Sequence, residues 1–174
     1  MVFKGLDMSN TTITALVGII NFLATLVGLG FLACFGRKTI MLVFNAAMAL
    51  TILLLSYYSF EHNSTGMIVC VLLFIAFFEF SSGPIVWLYM AEIMQDKALS
   101  IGAFLNWFLS LVVSITIPLI LRQVAIGYIF LFFGICTVFG TLFIIFFMEE
   151  TRGKSQAEID RLYSKEVDND YQKE

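Results

Sequence analysis

The sequence predicts an all-α membrane protein built from five transmembrane helices, and three observations carry that reading. Of the 174 residues, 60% are hydrophobic and 16% aromatic while 13% are charged, against roughly a quarter charged in soluble domains. The apolar residues gather into five runs, 11–35, 39–59, 66–91, 98–121 and 125–148, each about as long as the roughly 20 residues a helix needs to cross the hydrocarbon core. The connections between runs are short and polar, so consecutive helices are expected as antiparallel neighbours.

Composition also excludes classes of function. The formal charge of -3 arises largely in an acidic C-terminal tail, which leaves no basic surface for nucleic acid, and no nucleic-acid motif occurs. Cys34, Cys70 and Cys136 are odd in number and lack CxxC or Cys/His ligand spacing, so they are read as inert lipid- or core-facing thiols. Residues 1–10 form an outer N-terminal segment with no basic region feeding a short apolar stretch and a small-residue cleavage site; no signal peptide is expected.

Taken in order, run 11–35 carries the amide of Asn21 and the glycines Gly18, Gly28 and Gly30, which permit close helix packing. It ends at Gly36-Arg37-Lys38, cations suited to a helix C-terminal dipole and to anionic lipid. Run 39–59 closes at Phe60-Glu61-His62-Asn63-Ser64-Thr65, and His62 has no visible partner there. Run 66–91 contains the most unusual stretch, from Phe78 to Glu92. In it an acid (Glu79), two hydroxyls (Ser81, Ser82), a Gly83-Pro84 break and Trp87 interrupt an otherwise apolar segment. Run 98–121 holds Asn106, Trp107 and Pro118, the last read as an ordinary kink. Arg122-Gln123 then leads to run 125–148 with Gly134 and Gly140. The tail, 149–174, turns polar; Ala157–Tyr163 is expected to make a turn or two of interfacial helix with Ile159, Leu162 and Tyr163 toward lipid, and the rest to be disordered.

Orientation follows from the cations. Under strict alternation Arg37, Lys38, Lys97, Arg152, Lys154, Arg161, Lys165 and Lys173 share one side, and Lys4 and Arg122 fall on the other. The positive-inside rule makes this an integral multi-pass protein with its N-terminus outside or lumenal and its C-terminal tail cytosolic. The sequons Asn10-Thr11-Thr12 and Asn63-Ser64-Thr65 fall on the outer side, which agrees.

Chemistry is sparse. Glu79 is the only ionisable residue well inside an expected span, where a comparable acid costs about 2.5–3.5 kcal/mol even on lenient insertion scales. Two readings are open: the wall of a polar cavity, or an acid that glues two helices. Gly83-Pro84 forms a hinge, because proline removes a helical hydrogen bond and clashes with the preceding turn. Trp87 and Trp107 suit stacking on a sugar ring or core filling, and Asn21 and Asn106 suit a polar ligand or helix–helix bonding. No nucleophile–base pair, phosphate loop or metal-ligand cluster occurs, so no enzyme, cofactor or metal is expected.

Taken together these residues resemble the sugar porter family of the major facilitator superfamily, from its eighth to its twelfth helix, over nearly the whole chain. Gly36-Arg37-Lys38 matches the family's Gly-Arg-Arg/Lys turn. Glu79, Gly83-Pro84, Trp87 and Glu92 match the tenth helix, Asn106-Trp107 the eleventh, and Glu150-Thr151-Arg152-Gly153-Lys154 the signature after the twelfth. Asn21 stands where the family places a sugar-binding asparagine. The resemblance implies transport of a hexose-like sugar by alternating access, with Asn21, Glu79, Trp87, Asn106 and Trp107 at the substrate and Arg37, Glu92, Glu150 and Arg152 as a cytosolic gate. It also implies partners: the bilayer, and a missing N-terminal half or other membrane subunits, since the family's first seven helices have no counterpart here. Within the match, Ala33-Cys34 replace an acidic–basic pair, and Lys97 stands alone in a loop shortened by about four residues. Ser81-Ser82, Val86 and Glu149 replace Gly, Pro or both. These changes thin the latch and are expected to stiffen the tenth helix. Two functions follow: part of a sugar transporter, or a degenerate half-transporter serving as a structural subunit of a membrane complex.

Overall fold

Helix follows helix along the chain in the computed structural model, which describes residues 10–171. These are α1 (Asn10–Cys34), α2 (Arg37–Phe60), α3 (Ser64–Phe80), α4 (Ser82–Ile93), α5 (Asp96–Ile120), α6 (Ile126–Phe147) and α7 (Gln156–Tyr171). Among the described residues four segments are long and apolar enough to cross a membrane: α2, α3 with α4 (Ser64–Ile93), α5 and α6. α1 is a further 25-residue helix on apolar sequence, which includes Val17–Leu32.

Helix ends follow from local chemistry. Asn63 caps α3, its side-chain oxygen accepting from the Gly66 N–H at 3.0 Å, a bond typically worth about 1 kcal/mol. His62, just before it, takes a left-handed φ of 53°, which lets the hairpin turn within three residues. Between α3 and α4 the chain breaks at Ser81 (φ -132°, ψ -87°). Pro84 is the cause. It has no N–H to give to the Phe80 carbonyl and its ring crowds that turn, so the preceding helix ends and a new one starts with Pro84 in its first turn. Ser81, fully buried, donates its hydroxyl to the Phe77 carbonyl at 2.9 Å. The regular helix is therefore interrupted at Ser81, three residues before Pro84. Pro118 lies in the last turn of α5, so it helps end that helix rather than bending its middle.

α2 is the centre of the bundle, packed on α6 along one side and on α3 along the other, with α1 lying on α3. Ile40, Met41, Ile85, Tyr89, Ile144 and Met148 form the buried core where α2, α4 and α6 meet, and Phe31, Phe44 and Phe80 stack edge to face beside it at 5.2–5.7 Å. Chain neighbours pack extensively for α2 with α3 and only lightly for α1 with α2 and α4 with α5. Small and polar residues choose the partners, as they do where lipid supplies no hydrophobic drive. A Cβ on Gly28 would stand 2.8 Å from the Glu79 carbonyl oxygen, so this glycine brings α1 onto α3. Gly127 and Gly134 fit against Phe60 and Leu53 of α2, and buried Asn45 donates to Thr141 at 2.9 Å, which together draw α6 to α2. α5 has no buried residue and meets α4 mainly where Gly102 faces Met90.

The tail departs from expectation. Gln156–Tyr171 is one helix of 16 residues, started by Ser155, whose N–H and hydroxyl both donate to Glu158 at 2.7 and 2.8 Å. Ile159 is 4% exposed rather than turned to lipid, because α7 docks on α4.

Candidate functional site

Two polar groups stand out, one at the helix break and one at the end of the bundle that carries Arg37. At the break, the Thr25 hydroxyl has two acceptors for its single proton, the Glu79 carboxylate at 3.0 Å and the Asn21 backbone carbonyl at 2.9 Å. Thr25 thus joins the Asn21 turn of α1 to the last turn of α3, where Gly28 has already brought the backbones together. Gly83 sits beneath: a Cβ there would meet the Phe78 ring at 3.3 Å and the Glu79 carboxylate at 3.7 Å.

Asn21 and Asn106 are exposed, Trp87 is 39% exposed and Trp107 is 69% exposed. Of the five expected pocket residues, Asn21 is linked to Glu79 through its backbone carbonyl and Thr25, while Trp87, Asn106 and Trp107 lie on exposed faces of α4 and α5.

The Arg37 end is more closely knit. The Arg37 guanidinium gives two hydrogen bonds to one oxygen of Glu92, at 3.0 and 3.3 Å, with both side chains 20% exposed. The other Glu92 oxygen accepts the hydroxyl of buried Thr151. Glu150 caps α2: its oxygens accept the Arg37 N–H at 2.8 Å and the Lys38 N–H at 3.2 Å, and the Arg152 N–H at 3.1 Å. A carboxylate is favoured there because the first amides of a helix lack partners and carry its positive end. The Arg152 guanidinium donates to the Cys34 carbonyl at the end of α1. All four expected gate residues therefore meet, binding α1, α2, α4 and the segment after α6. An ion pair of this exposure is worth on the order of 1 kcal/mol or less, so the cluster can hold one arrangement and still release it.

Thr25 and Thr151 went unnoticed as site residues, as did buried Asn45, whose carbonyl oxygen also accepts the Ser82 hydroxyl at 3.4 Å. Thr25 carried a signal, lying one helical turn from Asn21. Among the described residues no group of His, Cys, Asp or Glu is placed to hold a metal ion.

Four segments long and apolar enough to span a membrane, one of them broken beside an acid, and a charged cluster at one end describe an integral membrane bundle. Solved structures agree: the chain is similar to the inward-open xylose transporter XylE from E. coli, at TM-score 0.79 and 28% identity over 84% of this chain and 34% of that one. It is similar also to the major facilitator proton:xylose symporter XylE bound to 6-bromo-6-deoxy-D-glucose, at TM-score 0.82 and 28% identity over 92% of this chain and 37% of that one. The chain belongs to the sugar (and other) transporter family, whose model matches residues 1–163. Among its relatives are trehalose transporter 1 of Drosophila melanogaster, 34% identical over 92% of this chain and 20% of that protein, and the metabolite transport protein YwtG of Bacillus subtilis, 29% identical over 83% and 34%. The chain spans about a fifth to a third of the length of these relatives.

Proposed function

We propose that this chain is the part of a sugar porter running from its eighth to its twelfth helix, α1 being the fifth span, and that the whole protein moves a hexose-like sugar by alternating access. The observation that carries the reading is the cluster at the Arg37 end. Four separate chain segments are tied there by bonds that are individually weak, which is what a gate that must open and close requires. The sugar itself is suggested by relatives named for trehalose and xylose transport. On this reading Asn21, Glu79, Trp87, Asn106 and Trp107 contact the solute, the Ser81 break with Gly83 and Pro84 is the hinge, and Arg37, Glu92, Glu150 and Arg152 form the gate. The cation bias places that gate in the cytosol, with residues 1–10 outside and 149–174 inside. Uptake of labelled hexose by the full-length gene product in liposomes tests it. Glu79→Ala and Asn106→Ala should each lower uptake about tenfold, the value of one good hydrogen bond to the solute of about 1.4 kcal/mol. Unaltered uptake in both variants sinks the assignment.

A second reading has one observation in its favour: α5 buries no residue and leaves Trp107 open, a surface that suits a permanent membrane partner. In that case the chain is a structural subunit. It would then co-purify with the same partner in every preparation and show no uptake.

A further inference from the structure

Three residues share one face of α7, and two of them bond α4. Gln156 donates its side-chain N–H to the Glu92 carbonyl at 3.0 Å, Ile159 is buried, and the Tyr163 hydroxyl meets the Tyr89 hydroxyl. The spacing i, i+3, i+7 places all three on a single stripe. Their counterparts, Glu92 and Tyr89, are one turn apart on α4.

The Tyr89 oxygen is a junction. It donates to the Glu149 carbonyl at 3.0 Å and accepts from the Glu149 N–H at 3.0 Å. A phenol has one proton and two lone pairs. With its proton given to Glu149 and one lone pair taken by the Glu149 N–H, the remaining lone pair receives the Tyr163 proton. Tyr163 is therefore the donor of the pair, and Tyr89 is fully satisfied only while α7 is docked. Both polar groups of the Glu149 peptide are held by this one hydroxyl. The next two residues, Glu150 and Thr151, are those that cap α2 and bond Glu92.

We propose that Tyr163 and Tyr89 are positioning residues: with α7 docked they hold, through Glu149, Glu150 and Thr151 where the bonds to α2 and Glu92 form. Beneath α7, Met41, Met90, Met148 and the two tyrosines line an apolar cleft of about 450 Å³, so undocking this helix leaves soft, adaptable side chains rather than a rigid wall behind the gate. The consequence for transport rests on the reading above; the positioning role does not, and it can be tested without any transport.

The experiment is hydrogen exchange read by mass spectrometry on the 174-residue chain in lipid nanodiscs, comparing Tyr163→Phe, Tyr89→Phe and the double variant with the parent. Tyr163→Phe should speed exchange of the α7 amides and, with them, of the Arg37 and Lys38 amides that Glu150 accepts, by about fivefold for a bond of ordinary strength. The α2–α6 amides should keep their protection. The double variant should be no faster than Tyr89→Phe alone, because one residue acts through the other. Gln156→Ala, which frees the other end of α7 without touching the core, is read in parallel and decides the question if Tyr163→Phe loosens the whole bundle. Parental exchange at Arg37 and Lys38 while α7 is released, or exchange unchanged throughout, overturns the proposal.

Discussion

At the scale of single residues, Gly36 has no side chain because Glu150 occupies the space one would need: a Cβ there would stand 2.0 Å from a carboxylate oxygen. Gly36→Ala should displace Glu150, leave two α2 amides uncapped and lower stability by about 1–2 kcal/mol, seen as a reduced midpoint for thermal unfolding in detergent; an unchanged midpoint would show that the cap carries no weight. Thr25 is the counterpart at the break. Thr25→Val keeps shape but removes the hydroxyl from Glu79, and uptake by the full-length gene product should fall about fivefold, the value of a hydrogen bond of about 1 kcal/mol. Wild-type uptake would assign Glu79 to helix packing instead. Glu79 was visible in the sequence because charge within an apolar run is conspicuous, and Arg37, Glu92 and Glu150 through the motifs that resemble the sugar porter family. Their hydroxyl partners were not, because Thr25 and Thr151 differ from other threonines only in what lies across from them.

At the scale of elements, composition marks the helices and says little about which of them touch. Apolar sequence folds as helix because in lipid every backbone N–H must be satisfied within its own segment, and run 66–91 is the exception that divides into α3 and α4. Packing order is different: α1 prefers α3 and α6 prefers α2 through Gly28, Gly127, Gly134 and Asn45, and a glycine does not announce its neighbour. The tail helix was legible in part, since Ser155 and Glu158 are spaced as a capping box, while the burial of Ile159 depends on α4. The Glu158 carboxyl is held below its ordinary range, chiefly by the Ser155 N–H and then by its hydroxyl. A depressed folded value means that the unfolded chain binds the proton more readily. The contribution to α7 is therefore complete above the ordinary carboxylate range of about 4.3 and lost as pH falls through the lower folded value. Helical circular dichroism of the chain in nanodiscs should drop over that acid window, and Glu158→Gln should flatten the change; an identical profile in both would remove Glu158 as the cause.

At the scale of the whole molecule, the burial is lopsided, with the core between α2, α4 and α6 and the α5 face open. Trp107→Ala should leave the unfolding midpoint of this chain within about 0.5 kcal/mol of the parent, as for an exposed site, yet reduce uptake severalfold in the full-length gene product; a destabilised chain would mean that the tryptophan is structural here. The broken span also has a mechanical meaning. α3 packs on α1 and α2, whereas α4 packs on α2 and α7 and is tied again to α2 by the Glu92–Arg37 pair, so the two sides of the break at Ser81 share α2 and differ in their second partner. From Ser81 to Glu92 is about 16 Å of helix at 1.5 Å per residue. A tilt of about 5° at the break therefore carries the Glu92 carboxylate about 1.4 Å along an arc of that helical radius. Added to an ion pair of 3.0 Å, that travel takes the charges beyond bonding distance. On the proposed reading the twelve residues of α4 would serve as a lever arm, its length turning a small rotation about Ser81 into a stroke long enough to unfasten the Arg37–Glu92 pair.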